Sequence, residues 1–211
     1  MEHLASRFLT AAEQEDVRRA VKEAEAGTSA EIVPLVVSAS HDYPKAETLG
    51  AMTLALVLGA LLTAAFGGSD MWVFLVLFAI LFFAGHELFK RFPGLKRPFI
   101  SPERLRDEVR EGALLAFYRH GLSATRDHTG VLIYISAYAR KVWILADKAV
   151  MDVIPQSALD GLASELSAGI RQGRQGRAIA VCVRKCALLL APHFAVKADD
   201  ADELANLIIE D

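Results

Sequence analysis

The protein is a chain of 211 residues, of which 53% are apolar and 23% are charged. This length excludes a large multidomain enzyme, and the formal net charge of −3 argues against general nucleic-acid binding, which usually needs a basic excess. Two cysteines, Cys182 and Cys186, are too few for a disulfide framework, and they stand in an apolar run typical of reduced core residues.

The first elements are predicted from caps and β-branched runs. The N-terminal residues lack the apolar core of a signal peptide, so we expect the N-terminus to stay in the cytoplasm. Thr10 and Glu13 form the pattern of a capping box, which predicts a helix that ends near Gly27. The run at residues 31–39 predicts a strand buried on both faces. Pro34 has no N–H to donate, so this strand needs a bulge or an edge position.

The next part of the chain has the features of a membrane hairpin. Residues 49–66 and residues 71–85, the latter extended by residues 86–89, are each near the length of a helix that crosses a bilayer. Four residues separate them, and Asp70 is the only charge of the region before the extension. The alternative, a hairpin buried in a soluble core, needs a much larger core than this chain can supply. We therefore expect two antiparallel spans.

Charges around this hairpin predict its orientation. The second span is followed by four basic residues, Lys90, Arg91, Lys96 and Arg97, whereas the reversal has only Asp70. By the positive-inside rule, both long segments then lie in the cytoplasm. No acidic, basic or histidine side chain stands within the spans before His86, which favours an anchor over a transporter. Gly59 and Thr63 have a small-residue spacing that lets two helices approach closely.

After the hairpin, helices and strands alternate. A linker at residues 90–100 precedes a helix that is capped by Ser101 and ended by Gly121. Residues 130–136 and Lys141–Ala146 predict an antiparallel pair of strands, because only four residues join them. The spacing of apolar residues predicts further helices over residues 157–172, 178–194 and 199–210.

These elements predict an α/β domain that the hairpin interrupts. Residues 178–194 begin with a run that also fits a strand, but their length and helical spacing favour a helix. The predicted division is a first part of the domain over residues 1–48, the hairpin over 49–89, a linker over 90–100 and the rest of the domain over 101–211.

Four segments of the soluble part resemble the TPM domain family. They are T-S-A-E at residues 28–31, the run at 117–136, R-K-V-W-I-L-A-D-K at 140–148 and L-L-A-P-H-F at 189–194. The family includes thylakoid and bacterial envelope proteins related to photosystem II repair factors, and the resemblance covers the soluble part of the chain. It implies a Rossmann-like α/β/α sandwich with the hairpin inserted after the first strand.

The chain departs from that family at two points. Many relatives lie outside the cytoplasm behind a signal peptide and are anchored at the C-terminus, whereas here the expected anchor is internal. Many relatives also have Gly-x-Gly after the second strand of the antiparallel pair, where this chain has Asp147, Lys148, Ala149 and Val150. A phosphate-binding loop at that point is therefore not supported.

The resemblance further implies a metal site, because some members bind a divalent cation near acidic residues that follow the strands, and some are described as phosphatases. The matching residues are Asp147 after the second strand of the pair, Asp152 five residues on and Asp127 before the first strand. Carboxylates suit Ca²⁺ or Mg²⁺, and we expect them at the carboxyl edge of the sheet. The alternative is that these aspartates form turns and helix caps.

Other chemistry has less support in the sequence. Asp127 with His120 or His128 is a candidate acid/base pair, although loop histidines are more often solvated. The chain has no nucleophile elbow, Walker loop, HExxH motif or set of zinc ligands. One basic cluster is typical either of contact with anionic lipid headgroups or an acidic partner, or of a solvated turn. It comprises Arg171, Arg174, Arg177, Arg184 and Lys185.

We therefore expect an interaction module at the cytoplasmic (inner) membrane, with two spans and with the soluble domain and both termini in the cytoplasm. Its expected partners are the lipid bilayer and a membrane or membrane-associated protein, not nucleic acid. The competing expectation is a divalent-metal-dependent phosphatase of the TPM type, and a transporter subunit is a third.

Overall fold

The computed structural model describes residues 3–39, 44–67, 70–196 and 204–211. The chain divides into two compact units. Met1–His41 and Leu105–Asp211 form one unit, here called the α/β unit, and Asp42–Arg104 forms the other, here called the hairpin unit. In chain order the elements are α1 (Ala11–Glu25), β1 (Ile32–Val37), α2 (Pro44–Leu62), α3 (Met71–Arg91), α4 (Pro102–Arg119), β2 (Val131–Ser136), β3 (Lys141–Ala146), α5 (Lys148–Met151), α6 (Gln156–Arg171), α7 (Gln175–Leu190) and β4 (Ile208–Glu210).

The α/β unit is built on a mixed four-stranded sheet with the strand order β3-β2-β1-β4. β1 pairs in parallel with β2 and with β4, while β2 pairs antiparallel with β3. The mixed α/β class and the antiparallel pair are thus confirmed. Helices α1, α6 and α7 supply apolar side chains to one core with the sheet, including Val17, Leu166, Ile179, Ile133 and Ile144.

Helix α4 runs from the β3 side of the sheet to the β4 side. At the middle of the helix, the guanidinium carbon of Arg110 lies 5.9 Å from the centre of the Trp143 ring on β3. Just after its last turn, Nε2 of His120 lies 3.2 Å from Oε1 of Glu210 on β4. The buried side of the helix carries Leu105, Val109, Ala113, Ala116 and Phe117.

The capping box predicted at the start of α1 is confirmed. The Thr10 hydroxyl accepts a 3.3 Å hydrogen bond from the Glu13 N–H, and the Glu13 carboxylate accepts a 2.9 Å bond from the Thr10 N–H. The second of these bonds is the main reason that the pKa of Glu13 is lowered. Glu13 also accepts a 3.4 Å bond from the N–H of Gly176, so one carboxylate caps α1 and meets the first turn of α7.

The expectation of a bulge or an edge strand at Pro34 is wrong for β1 as a whole, which is an inner strand with unbroken register. Pro34 lies opposite Ile133 of β2. The Val131 N–H donates to the Glu31 carbonyl. The backbone N–H and carbonyl groups of the odd-numbered residues of β1 therefore point toward β2, and the backbone of Pro34 points toward the β4 side. On that side the pairing with β4 begins only at Leu35. The missing N–H therefore costs no ladder bond, because the short β4 leaves a local edge there.

The predicted terminal helix over residues 199–210 is wrong at its end. Ile208–Glu210 form β4, which pairs in parallel with the last three residues of β1. The part of the prediction over residues 199–203 lies outside the described residues. A three-residue strand gains its stability from the neighbouring strand, so its own periodicity carries little information.

In the hairpin unit, two helices are long and apolar enough to cross a membrane. They are Lys45–Phe66 and Met71–Arg91, which contain the two predicted stretches. Asp70 caps the second helix, since its carboxylate accepts a 2.8 Å bond from the Trp72 N–H. The predicted reversal also includes Gly68 and Ser69, which lie outside the described residues.

Small residues bring α2 and α3 together, mainly at the end of the hairpin away from the reversal. A Cβ built on Gly50 would lie 2.4 Å from the Phe89 ring, so only glycine fits there without a shift. Gly59 does face α3, but a Cβ there would meet the Phe74 ring at an ordinary 3.5 Å. The Thr63 hydroxyl donates a 2.8 Å hydrogen bond to the Gly59 carbonyl, so this polar side chain has its partner within the same helix.

Candidate functional site

The acidic residue singled out as a metal ligand, Asp147, lies at the edge of the sheet where the parallel strands begin. It follows β3, and β3 runs antiparallel to β2. Its N–H accordingly donates a 2.9 Å bond to the carbonyl of Gly130, just before β2. The expectation of a position at the carboxyl edge is therefore wrong, because the end of an antiparallel strand meets the start of its neighbour.

Both carboxylate oxygens of Asp147 have partners. Oδ1 accepts a 2.7 Å bond from the Lys148 N–H and so caps the short helix α5. Oδ2 lies 3.1 Å from Nδ1 of His128. The carboxylate is mostly buried and the imidazole is exposed, with relative exposures of 15% and 63%. The pair thus offers one exposed histidine that is oriented by a buried carboxylate.

The other two predicted ligands lie near this pair in sequence. Asp127 directly precedes His128, which has a left-handed backbone with φ of +55°. Asp152 follows α5 and is exposed, and its N–H bonds to the Lys148 carbonyl at 2.9 Å. Across the described ranges, no group of three His, Cys, Asp or Glu side chains could hold a metal ion. The assignment of Asp127, Asp147 and Asp152 to Ca²⁺ or Mg²⁺ stays a prediction.

The two histidines proposed as acid/base partners contact different carboxylates, and the described contacts of both are with residues other than Asp127. His128 lies beside Asp147, whereas His120 contacts Glu210. Arg119 also pairs with Glu210. This cluster of His120, Arg119 and Glu210 lies by the carboxyl end of β4. Sequence reasoning missed it because residue 210 was placed in a helix, although the His-Arg pair after an amphipathic helix was visible.

A second polar cluster lies at the carboxyl ends of β1 and β4. Oδ1 of Asp211 accepts hydrogen bonds from the Ser38 hydroxyl at 2.6 Å and from the N–H groups of Ala5 and Ser6 at 3.1 and 3.2 Å. These bonds, with that of Ser38 the strongest, lower the pKa of Asp211 to about 2 against the opposing effect of desolvation. The geometry fixes a charged carboxylate and ties three segments together.

The basic cluster is divided between different surfaces. Arg184 lies 3.5 Å from Glu23, and Lys185 pairs with Glu165. Arg174 and Arg177 line a groove of about 300 Å³ between α6 and α7. Arg171, in contrast, lies in a separate groove beside β3. The sequence run is therefore not one patch in three dimensions.

The cysteines lie in the core of the α/β unit. Cys182 and Cys186 are both free and buried. A hydrogen bond with Cys186, together with burial, raises the pKa of the Cys182 thiol. A thiol in this environment is a poor nucleophile, because the thiolate is the reactive form.

Comparisons with known proteins give a likeness in fold. No family model matches the chain, and no curated protein matches it. Among solved structures, the chain is similar to the NMR structure of the BA42 protein from the psychrophilic bacterium Bizionia argentinensis. The TM-score is 0.60 at 21% sequence identity, and the match covers 97% of this chain and 96% of that chain. At this identity the similarity shows the fold alone.

Proposed function

We propose that the protein is a membrane-anchored binding module, in which α2 and α3 cross the bilayer and the α/β unit binds a partner at the cytoplasmic face of the inner membrane. The observation that carries the proposal is the apolar surface of the hairpin unit. Large side chains stay exposed there, among them Phe66, Trp72, Phe83, Leu61 and Ile80, all 60% or more exposed. A soluble protein rarely leaves so much contiguous apolar surface in water, whereas a bilayer covers it.

The charges near the hairpin support the proposed orientation. Lys90 and Arg91 occupy the last turn of α3, while the reversal carries Asp70. Lys96, however, is buried and paired with Glu47, so it adds no net positive charge. The positive-inside argument then rests on Lys90, Arg91 and Arg97.

We also propose that the chain is related to the TPM domain family. Its support is the motif resemblance, together with parallel strands β1 and β2 separated by the hairpin insertion. A Rossmann-like sandwich usually has its crossover helix antiparallel to the strands, whereas α4 runs from the β3 side of the sheet to the β4 side. We therefore propose a TPM-like variant of that architecture.

The competing proposal is a divalent-metal-dependent phosphatase. The oriented His128 beside Asp147 is the feature that favours it. Both oxygens of Asp147 are engaged, which favours the binding module. Hydrolysis of p-nitrophenyl phosphate with Mg²⁺ distinguishes the two proposals. A phosphatase has this activity and should lose it in Asp147→Ala while keeping its fold. A binding module has no such activity in the wild type.

Membrane fractionation tests the anchor. We expect the full chain to stay in the membrane pellet after alkaline carbonate extraction, because only the bilayer covers the hairpin. A variant with Leu61→Arg and Phe83→Arg places charges on two exposed apolar positions and should leave the pellet. A matched variant with Leu188→Arg, at an exposed position of α7, should stay with the membrane. Release of the full chain by carbonate would contradict the proposal.

A further inference from the structure

Strand β3 is the outer strand on one side of the sheet, and a groove of about 390 Å³ runs along it. On one side the groove is lined by Arg106 and Val109 of α4. On the other side it is lined by one face of α6, including Ser164, Ser167 and Arg171. Both walls and the strand belong to the α/β unit, so the groove is complete within that unit.

The outer side of β3 has backbone groups that point away from β2, and at Val142 they lie beside the groove. Asp147 and Gly130 form a hydrogen-bonded pair, so Trp143 and Lys141 bond to β2 while Val142 and Ile144 direct their polar groups outward. The side chain of Gln156 covers one of these groups, since it donates a 3.4 Å bond to the Ile144 carbonyl. Val142 lines the groove, whereas Ile144 is only 1% exposed, so the N–H and carbonyl of Val142 are the groups that a new strand can reach there.

The charge of the groove is strongly one-sided. Four basic side chains flank it: Arg106, Arg110, Lys141 and Arg171. In the part of the chain that the structure describes, none of these four has a carboxylate within 4.0 Å, whereas Arg184 and Lys185 elsewhere on the surface are paired. The groove's acidic lining residue, Asp160, accepts a 2.9 Å bond from Gln156. The basic groups are thus available to an anionic ligand.

We propose that this edge binds an acidic, extended segment of a partner protein, which adds to β3 as a fifth strand. Strand addition uses the outward backbone groups of Val142, and the flanking cations select carboxylates and supply much of the affinity. The ring of Trp143, already stacked under Arg110, gives the segment an apolar surface to pack on. A second copy of this chain is disfavoured at the edge, because it would bring the same cations against their equivalents.

The inference deepens the proposed function by naming the class of partner, and it has its own test. The full chain is placed in nanodiscs of zwitterionic phosphatidylcholine, so that lipid charge does not compete. The probes are a fluorescein-labelled peptide of alternating Glu and Val, a matched peptide of alternating Lys and Val, and a Glu-Val peptide with a central proline. Fluorescence anisotropy measures binding, and hydrogen exchange measures protection of β3.

We expect the Glu-Val peptide to bind, the Lys-Val peptide not to bind, and the proline to weaken binding because it removes a ladder N–H. Arg171→Glu or Arg106→Glu should weaken binding roughly tenfold or more, while Arg184→Glu, with the same change of net charge, should leave it unchanged. Lys141→Gln and Arg171→Gln repeat the test without charge reversal should a reversed variant fail to fold. Bound peptide should protect the Val142 amide from exchange, whereas the Ile144 amide is buried without peptide.

Three results would overturn the proposal. The first is no binding of the Glu-Val peptide at millimolar concentration. The second is equal binding of the proline peptide, or binding without protection of β3, which would indicate charge attraction only. The third concerns lipid: the chain in its phosphatidylcholine nanodisc attaches to separate phosphatidylserine nanodiscs in an Arg171-dependent way but does not bind the peptide. That result would assign the groove to lipid. Membrane anchoring is measured separately by carbonate extraction, so failure here leaves that proposal intact.

Discussion

The hydroxyl of Ser38 donates a 2.6 Å hydrogen bond to Oδ1 of Asp211, which ties the end of β1 to the residue after β4. The same hydroxyl accepts a 2.8 Å bond from the N–H of Ala5. Residues 206 positions apart in the chain, Ala5 and Asp211, are thereby held at one point. The short strand β4 is thus fixed by side-chain bonds as well as by its ladder.

This contact predicts a pH dependence of stability. The pKa of Asp211 is 3.8 when unperturbed and about 2 in the folded protein, so its contribution is present above the unfolded value and is lost as pH falls toward the folded value. Asp211→Asn should lower the urea midpoint at neutral pH, and the difference from the wild type should shrink between pH 3.8 and about 2. The control is Asp107→Asn, at an exposed position of α4. A difference that is constant over this pH range would contradict the assignment.

Two glycines of α6 predict opposite effects of the same substitution. A Cβ on Gly161 meets nothing within 4 Å, so Gly161→Ala should raise the free energy of unfolding by roughly 1 kcal/mol through helix propensity. A Cβ on Gly169 would lie 2.5 Å from the Cβ of Ala178, so Gly169→Ala should lower it by about 1–3 kcal/mol. Urea denaturation measures both. Stabilisation by both alanines would show that α6 and α7 are not packed this closely.

The metal prediction is tested by thermal unfolding. Neighbouring carboxylates are easier to accommodate when a cation is bound, so millimolar Ca²⁺ or Mg²⁺ should raise the melting temperature. Asp147→Asn should reduce that increase, and Asp127→Asn and Asp152→Asn should do the same if all three are ligands. Asp160→Asn, in the groove beside β3, serves as the control. Equal shifts in wild type and Asp147→Asn, or none in either, would leave these aspartates as caps and turn residues.

Topology is tested by cysteine labelling in intact cells. A cysteine at Ser69, in the reversal, should react with a membrane-impermeant thiol reagent, because the positive-inside rule places the reversal outside. A cysteine at Ser157, at an exposed position of α6, should react only after the cells are opened. The protein without added cysteine provides the background, since Cys182 and Cys186 are buried. Labelling of the Ser157 variant in intact cells would reverse the orientation.

Independence of the two units is tested by deletion. Removal of residues 49–89 leaves Glu47 and Lys96 behind, and these two residues pair within the hairpin unit. A cleaner deletion replaces residues 44–100 with a Gly-Ser linker and keeps Ser101, whose hydroxyl accepts a 3.2 Å bond from the Arg104 N–H. We expect a soluble domain with one cooperative unfolding transition, because loop closure costs little extra with length. Aggregation without such a transition would show that the hairpin supports the core.

Local chemistry let the sequence determine much of the fold. The capping box of Thr10 and Glu13 is satisfied by atoms three residues apart, so nothing distant had to be known to place α1. The antiparallel pair β2 and β3 follows from a four-residue connection. The two apolar stretches of the hairpin are equally local, because span length is set by the rise of a helix.

Long-range pairing decided what the sequence could not. Residues 208–210 become a strand only because β1 offers an unpaired side, and the same short β4 lets Pro34 occupy an inner strand. Asp147 was placed at the wrong edge because the edge depends on the direction of the neighbouring strands, which no residue near it specifies. Likewise, Arg106, Lys141 and Arg171 stand far apart in sequence, and only the packing of α4 and α6 around β3 brings their charges to one groove.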